Sequence, residues 1–359
     1  MKGKIITTVC VLALAVASCK KDSTNNTGNT TAQATLEQNV LTDFANVLVN
    51  PNYQDIQAKA NIMNNAIIAF NANSTDANLD AVRVAWKNTR GAWESCEGFL
   101  FGPVEDASYD PTMDDWPVNK ADLDALIASN NALQVTDIDA LGTTLKGFHA
   151  IEYIAFGVGS TQKAANITAR DKLYLGSLGQ SLYNTTTELR NSWDPAAGNY
   201  TAQVTTAGKG STRYTTRLDL FKALVGSMAD ICNEVANEKM QTPLAAKDST
   251  LDESQFSHNS VTDFKNNITG VLNAYKCQYN GASGHSLSEL VASKNASLDN
   301  KIQSQINTAI ASFNGITVSY ELAIYTQQNQ IKTVQAAINT LKATIDGDLG
   351  DFIEANIKD

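Results

Sequence analysis

One stretch limits the fold more than any other. Leu79, Val82, Trp86, Thr89, Trp93, Cys96 and Leu100 follow one another at alternating steps of three and four residues. That spacing is a helical seam, made to pack against neighbouring helices. The same period recurs along the chain. Leu36, Val40, Phe44 and Val47 predict a helix that Pro51 ends, and a second helix is expected from Tyr53 to Asn71. Another stripe runs Leu141, Leu145, His149, Glu152 and Phe156, in a helix capped by Thr136 or Asp137 and stopped by Gly157 and Gly159. Six prolines in 359 residues leave room for long helices, and no segment alternates as a strand does. The expectation is an all-α protein of two helical-bundle domains, about four helices each. Residues 36–160 form the first and 161–359 the second, with a junction near 158–167 and a cleft near the His149 helix. One helix is expected over Ile316 to Ile345.

Two polar residues interrupt a face that a bundle would fill with leucine. His149 and Glu152 are three apart, so they sit side by side on one helical face. A glutamate is rarely buried without a partner, because a lone buried charge costs several kcal/mol. A metal, a cation, a wet cleft or a substrate must meet this pair. Beside the 79–100 seam runs a second stripe of Arg83, Arg90, Glu94 and Glu97. It is either a solvated, salt-bridged face or the partner of His149 and Glu152 across a cleft. Helical bundles hold metals with Glu and His at this spacing, but a site needs a third ligand. Glu97, Glu94 and Asp115 are the candidates, with Arg90 as a stabilising cation. The alternative is a metal-free polar cluster, in which His149 donates to Glu152 or Arg90 steadies both. Asp106, Asp110, Asp114 and Asp115 crowd an irregular stretch from Pro103 to Asn119, without the spacing of a calcium loop. The other two histidines carry less. His258, beside Ser257, opens a helix and reads as capping, with a contribution to the site as the rival; His285 stands near the start of a short helix. No HExxH, GxSxG or phosphate-binding glycine loop is present, so zincin, serine-hydrolase and nucleotide chemistries lack their motifs.

The first residues read as an address. Lys2 and Lys4 precede an apolar run from Ile5 to Ala17, too short for a mature span, and Val16-Ala17-Ser18-Cys19 has the form of a lipobox. Residues 1–18 are expected to be a lipoprotein signal peptide, Cys19 the lipidated residue, and residues 19–35 a flexible tether. A lipid anchor places the protein in a bacterial envelope, at the outer membrane, without saying which face. Cys96, Cys232 and Cys277 then remain. Buried thiols are the plain reading, and one disulfide among the three is the alternative. The net charge is −10, and removing Lys2 and Lys4 makes it more negative. An acidic chain repels phosphate, which excludes nucleic acid as a partner and favours cations.

Several phrases together carry a resemblance. Gly147-x-His149-x-x-Glu152, followed by Tyr153, is similar to the GxHxxE motif of imelysin-like proteins, a bacterial family first classed as metallopeptidases and linked also to iron uptake. Arg90, Trp93 and Glu97 before Phe101-Gly102-Pro103 resemble the same family, as do Trp116-Pro117 and residues 254–264. The resemblance covers most of residues 36–359. It implies an all-helical fold with the His149 motif in a cleft, and a metal ion, iron or zinc, as the ligand. Three readings follow: an envelope lipoprotein that binds iron, another metal or a metal-bearing ligand for metal uptake; a metallopeptidase using His149 and Glu152; or a scaffold for a peptide or glycan.

Overall fold

Side-chain chemistry sets where many helices begin. Thr75, Thr168 and Thr216 each accept a hydrogen bond from a backbone N–H in the first turn, and Asp171 and Asp219 return the bond in capping boxes. The computed structural model describes residues 24–357. The expected signal peptide, Cys19 and the first residues of the tether lie outside them. In chain order the first half contains α1 (Thr24–Asp43), α2 (Asn50–Ala72), α3 (Asp76–Glu94), α4 (Pro103–Asp106), α5 (Tyr109–Asp114), α6 (Lys120–Ala128), α7 (Val135–Asp139), α8 (Gly147–Phe156) and α9 (Ala169–Trp193). The second half contains α10 (Tyr200–Thr205), α11 (Arg217–Glu234), α12 (Gln241–Ala246), α13 (Ser260–Lys276), α14 (Leu287–Ala292), α15 (Ala296–Ser312), α16 (Tyr320–Thr326), α17 (Gln328–Thr344) and α18 (Gly350–Asn356). The only strands among the described residues are two short ones, β1 (Gln278–Tyr279) and β2 (Ala282–Ser283), paired antiparallel. No helix of the described residues is long and apolar enough to cross a membrane. Cys96, Cys232 and Cys277 are free, buried thiols.

In the first group of helices α2 lies between α3 and α9, and α8 packs on both of these. In the second, α11 and α15 pack on α17, and α13 packs on α15. The groups meet where α13 crosses α3 and the 3-10 turn Glu97–Phe99. A single continuous core runs through both, from Trp86 and Phe148 to Phe264, Ile302 and Leu341. Helix α9, assigned by sequence to the second unit, lies against α2 and α8, because Leu175, Leu178 and Leu182 bury on that side.

Other expectations are corrected by local geometry. Pro51 does not end its helix. Residues Phe44–Val49 form a π-turn, and the Asn50 N–H bonds to the Ala45 carbonyl five residues back, so the chain enters α2 with Pro51 in its first turn. Helix α1 begins at Thr24, inside the expected tether. It is docked by buried Val40 and Leu41, and Gln38 donates to the Thr205 carbonyl at 2.7 Å. The 316–345 segment breaks at Gln327, between α16 and α17. The stripe from Leu141 to Phe156 is not one helix either: Asp137 belongs to the short α7, a 3-10 turn follows at Thr143–Leu145, and α8 starts afresh at Gly147.

Candidate functional site

Gly147 shows why α8 starts where it does. Its φ is +75°, and a Cβ there would overlap the Met113 carbonyl of α5. Only glycine lets the end of α5 press against the start of α8. The next residue of α5 is Asp114, which this contact delivers to His149. On the other side, α8 is clamped to α3. Trp86 Nε1 donates to the Phe148 carbonyl at 2.9 Å, Trp86 meets Phe148 and Phe156 edge-on, and the Arg90 guanidinium lies 5.3 Å from the Phe148 ring centre. Full burial of each such aromatic side chain stabilises by about 1.5–3 kcal/mol.

The clamp builds a sealed polar cluster inside the bundle. His149 Nδ1 faces Glu152 Oε2 at 2.8 Å, and Nε2 faces Asp114 Oδ1 at 3.1 Å. Glu152 spends its other oxygen on two backbone donors, the Phe256 N–H at 3.1 Å and the Ser257 N–H at 2.7 Å. Asp114 also takes Arg90 Nη1 and, at 2.6 Å, Trp93 Nε1. Arg90 Nη2 reaches Glu94 at 2.5 Å and Glu253 at 2.8 Å, with Asp263 3.9 Å from its Nε. Lys239 Nζ bonds Glu97 at 3.0 Å and Glu253 at 2.9 Å. Asn267 Nδ2 donates to both Glu94, at 2.5 Å, and Glu97, at 2.8 Å. It can do so because α13 crosses at Gly270, where a Cβ would stand 2.7 Å from the Ser95 carbonyl. Arg90, Glu94, Glu152 and Asp263 are fully buried, and His149 and Glu253 are 1% and 2% exposed.

Charge does not balance among these groups. Glu94, Glu97, Asp114, Glu152, Glu253 and Asp263 are six carboxylates facing Arg90, Lys239 and His149. Buried net charge is resolved by protons or by a further cation. Burial pushes the Glu94 and Glu97 carboxyls well up, and Asp263 up to about 6, against the opposing pull of the nearby cations. Asp114 goes the other way. Burial would raise it, but Arg90 and the His149 hydrogen bond hold it below the usual carboxylate range. For His149, burial and Arg90 oppose the charged form, yet its bonds to Asp114 and Glu152 outweigh them and lift it to about 9. Burial likewise opposes the Lys239 and Arg90 charges, and the surrounding carboxylates overcome it.

The residues singled out by sequence divide accordingly. His149, Glu152, Arg90, Glu94 and Glu97 come together. Asp115 does not: its carboxylate accepts from Thr143, and its neighbour Asp114 turns inward. Ser257 joins only through its backbone N–H. His258, at φ +57°, faces Glu321 at 3.0 Å and is outside the cluster. His285 pairs with Asp43 near the surface. Asp114, Glu253, Asp263, Asn267 and Lys239 were missed. Asp114 stood in the aspartate-rich stretch, and Glu253 sits one residue before the 254–264 phrase; nothing in the sequence marks Lys239.

Two sets of side chains have a ligand atom from each member within 4.8 Å of one another: Asp114, His149 and Glu253, and Glu94, Glu97 and Asp114. In the first, imidazole and carboxylate are the donors that suit iron, zinc and similar ions. Two ligands about 2.1 Å from one ion at right angles stand ~3.0 Å apart, close to the 3.1 Å between His149 Nε2 and Asp114 Oδ1. Glu253 Oε2 is buried and makes no hydrogen bond. The residues therefore fit a cation, with Glu152 orienting the imidazole from behind rather than ligating.

Comparison with known proteins agrees with the fold. Residues 49–346 match the family model for imelysin. The chain is 28% identical over 319 residues to iron-regulated protein A of Synechococcus elongatus, covering 88% of this chain and 86% of that one. A crystal structure of a putative iron-regulated protein A precursor from Parabacteroides distasonis superposes with a TM-score of 0.80 at 24% identity, over 90% of this chain and 95% of its own. An imelysin-like protein from Psychrobacter arcticum gives 0.73 at 14% identity, over 89% and 96%. With the helical architecture and the match over most of its length, this chain belongs to the imelysin family.

Proposed function

We propose that this protein is an envelope-tethered, metal-binding member of its family, serving iron uptake through one buried cation site. His149, Asp114 and Glu253 would hold the ion. One observation carries the reading: Glu253 Oε2 is buried without a partner beside a histidine and an aspartate whose ligand atoms lie within 4.8 Å of its carboxylate. The relatives named for iron regulation support iron as the cargo, and the lipobox at Cys19 supports attachment to the outer membrane. A bound ion supplies the positive charge that the excess carboxylates otherwise draw from protons. The chain's own residues do the rest. Glu152, itself fixed by two backbone N–H groups, keeps the Nδ1 proton of His149 and aims Nε2 at the ion. Arg90 shares Asp114 and Glu253 with the ion and holds the Asp114 carboxyl below the usual carboxylate range against the opposing effect of burial. The burial of His149 and Glu152 speaks against peptide hydrolysis, since a substrate backbone has no way to reach either side chain.

Titration of the purified protein with ferrous, ferric and zinc ions tests this reading. One ion per chain is expected, lost in His149→Gln and weakened at least tenfold in Glu253→Gln, with helicity checked by circular dichroism. Binding that ignores both substitutions would refute the site.

A further inference from the structure

The cation cluster is sealed, so an ion needs a way in. A pocket of about 320 Å³ lies between the α4–α5 segment and α11, and its lining includes Glu97, Glu105, Asp110, Asp230 and Glu234 and no basic residue. Glu105 and Asp230 are exposed at its mouth, Glu234 is half-buried, and Glu97 is buried at its floor. Glu97 belongs to both places: it lines the pocket, and its carboxylate lies within 4.8 Å of those of Glu94 and Asp114. Asp114 is in turn shared with His149 and Glu253. A chain of carboxylates thus runs from solvent to the Glu253 carboxylate.

A single ammonium stands in the neck of that chain. Lys239 Nζ bonds Glu97 at 3.0 Å and Glu253 at 2.9 Å, and approaches Glu234 at 3.5 Å on the pocket side and Glu94 at 3.9 Å on the inner side. The side chain is 1% exposed. Its backbone closes a π-turn, Val235–Lys239, at the end of α11, a local widening of the helix that is common at functional positions. We infer that the acidic pocket is the route by which cations reach the buried site, and that Lys239 is its gate. This rests on the metal reading above. The ammonium already fills a cation position between pocket and cluster. An arriving ion takes over Glu97 and then Glu253, while the flexible lysine stem lets Nζ swing toward Glu234. One cation replaces another at each step, so no carboxylate is left buried and uncompensated. The acid-lined mouth concentrates cations before they enter, which raises association rates in a salt-dependent way.

Stopped-flow mixing with zinc ion, at low and high ionic strength, tests the route. The double variant Asp230→Asn/Glu234→Gln is expected to slow uptake about tenfold or more at low salt and to flatten its salt dependence, with one ion per chain still bound. Lys239→Gln should speed uptake, and Asp351→Asn, exposed on α18, should match the wild type. Wild-type rates in the double variant would overturn the route, and unchanged or slower uptake in Lys239→Gln would overturn the gate. If zinc binds with the dependence on His149 and Glu253 described above but ignores the pocket, only this inference fails. If the wild type takes up no zinc, the site fails with it.

Discussion

His149 and His285 each meet a carboxylate at almost the same distance, 2.8 Å to Glu152 and 2.7 Å to Asp43. The His285 side chain is 46% exposed and that of His149 is 1% exposed. Water screens the first pair and leaves both partners free to separate, so its worth is small. The second pair has no solvent to fall back on, and each member needs every neighbour it has. Burial, rather than the pairing itself, separates a surface contact from a site. It also explains why the inner histidine has acids on both ring nitrogens, and why the acids around it outnumber the cations.

The largest effect is expected at Arg90, which touches Asp114, Glu94 and Glu253. Arg90→Met leaves three carboxylates short of a partner and should lower unfolding free energy by roughly 3–5 kcal/mol in denaturant titrations. Next comes Gly147→Ala, which adds a Cβ into the Met113 carbonyl at positive φ and should cost about 2–4 kcal/mol while pushing Asp114 off His149. A double-mutant cycle between His149→Gln and Glu152→Gln should show coupling of about 1.5–3 kcal/mol, as for a buried hydrogen bond to a charged group. The smallest value, about 0.2–1 kcal/mol, is expected for the same cycle between His285→Gln and Asp43→Asn. Equal couplings in the two cycles would contradict the role given to burial.

The same contrast explains what could be read from the sequence. The seam from Leu79 to Cys96 announced a packed helix, and Trp86 and Trp93 are buried in it. Arg90, Glu94 and Glu97, on the neighbouring stripe, turned inward with His149 and Glu152, as an unpaired polar face within a bundle must. Periodicity carries that much. It does not carry a loop's direction: Asp114 and Asp115 are equivalent until Gly147 fixes which of them faces α8. Nor does it show contacts over long separations, and Glu253 and Lys239 reach the cluster through the packing of α13 on α3 and of α11 on the Glu97–Phe99 turn. Pro51 misled because a π-turn absorbs its missing donor, a local solution no residue pattern states. The Leu141 to His149 stripe misled because helical spacing persists through a break in the backbone at Gly147.

Anomalous diffraction from crystals grown with ferrous iron tests the central claim most directly. One peak per chain is expected within about 2.0–2.3 Å of His149 Nε2 and an oxygen of Asp114, with Glu253 as the third ligand. Iron found only at surface pairs such as His285 and Asp43, with the buried cluster unchanged and no peak beside Glu253, would contradict it.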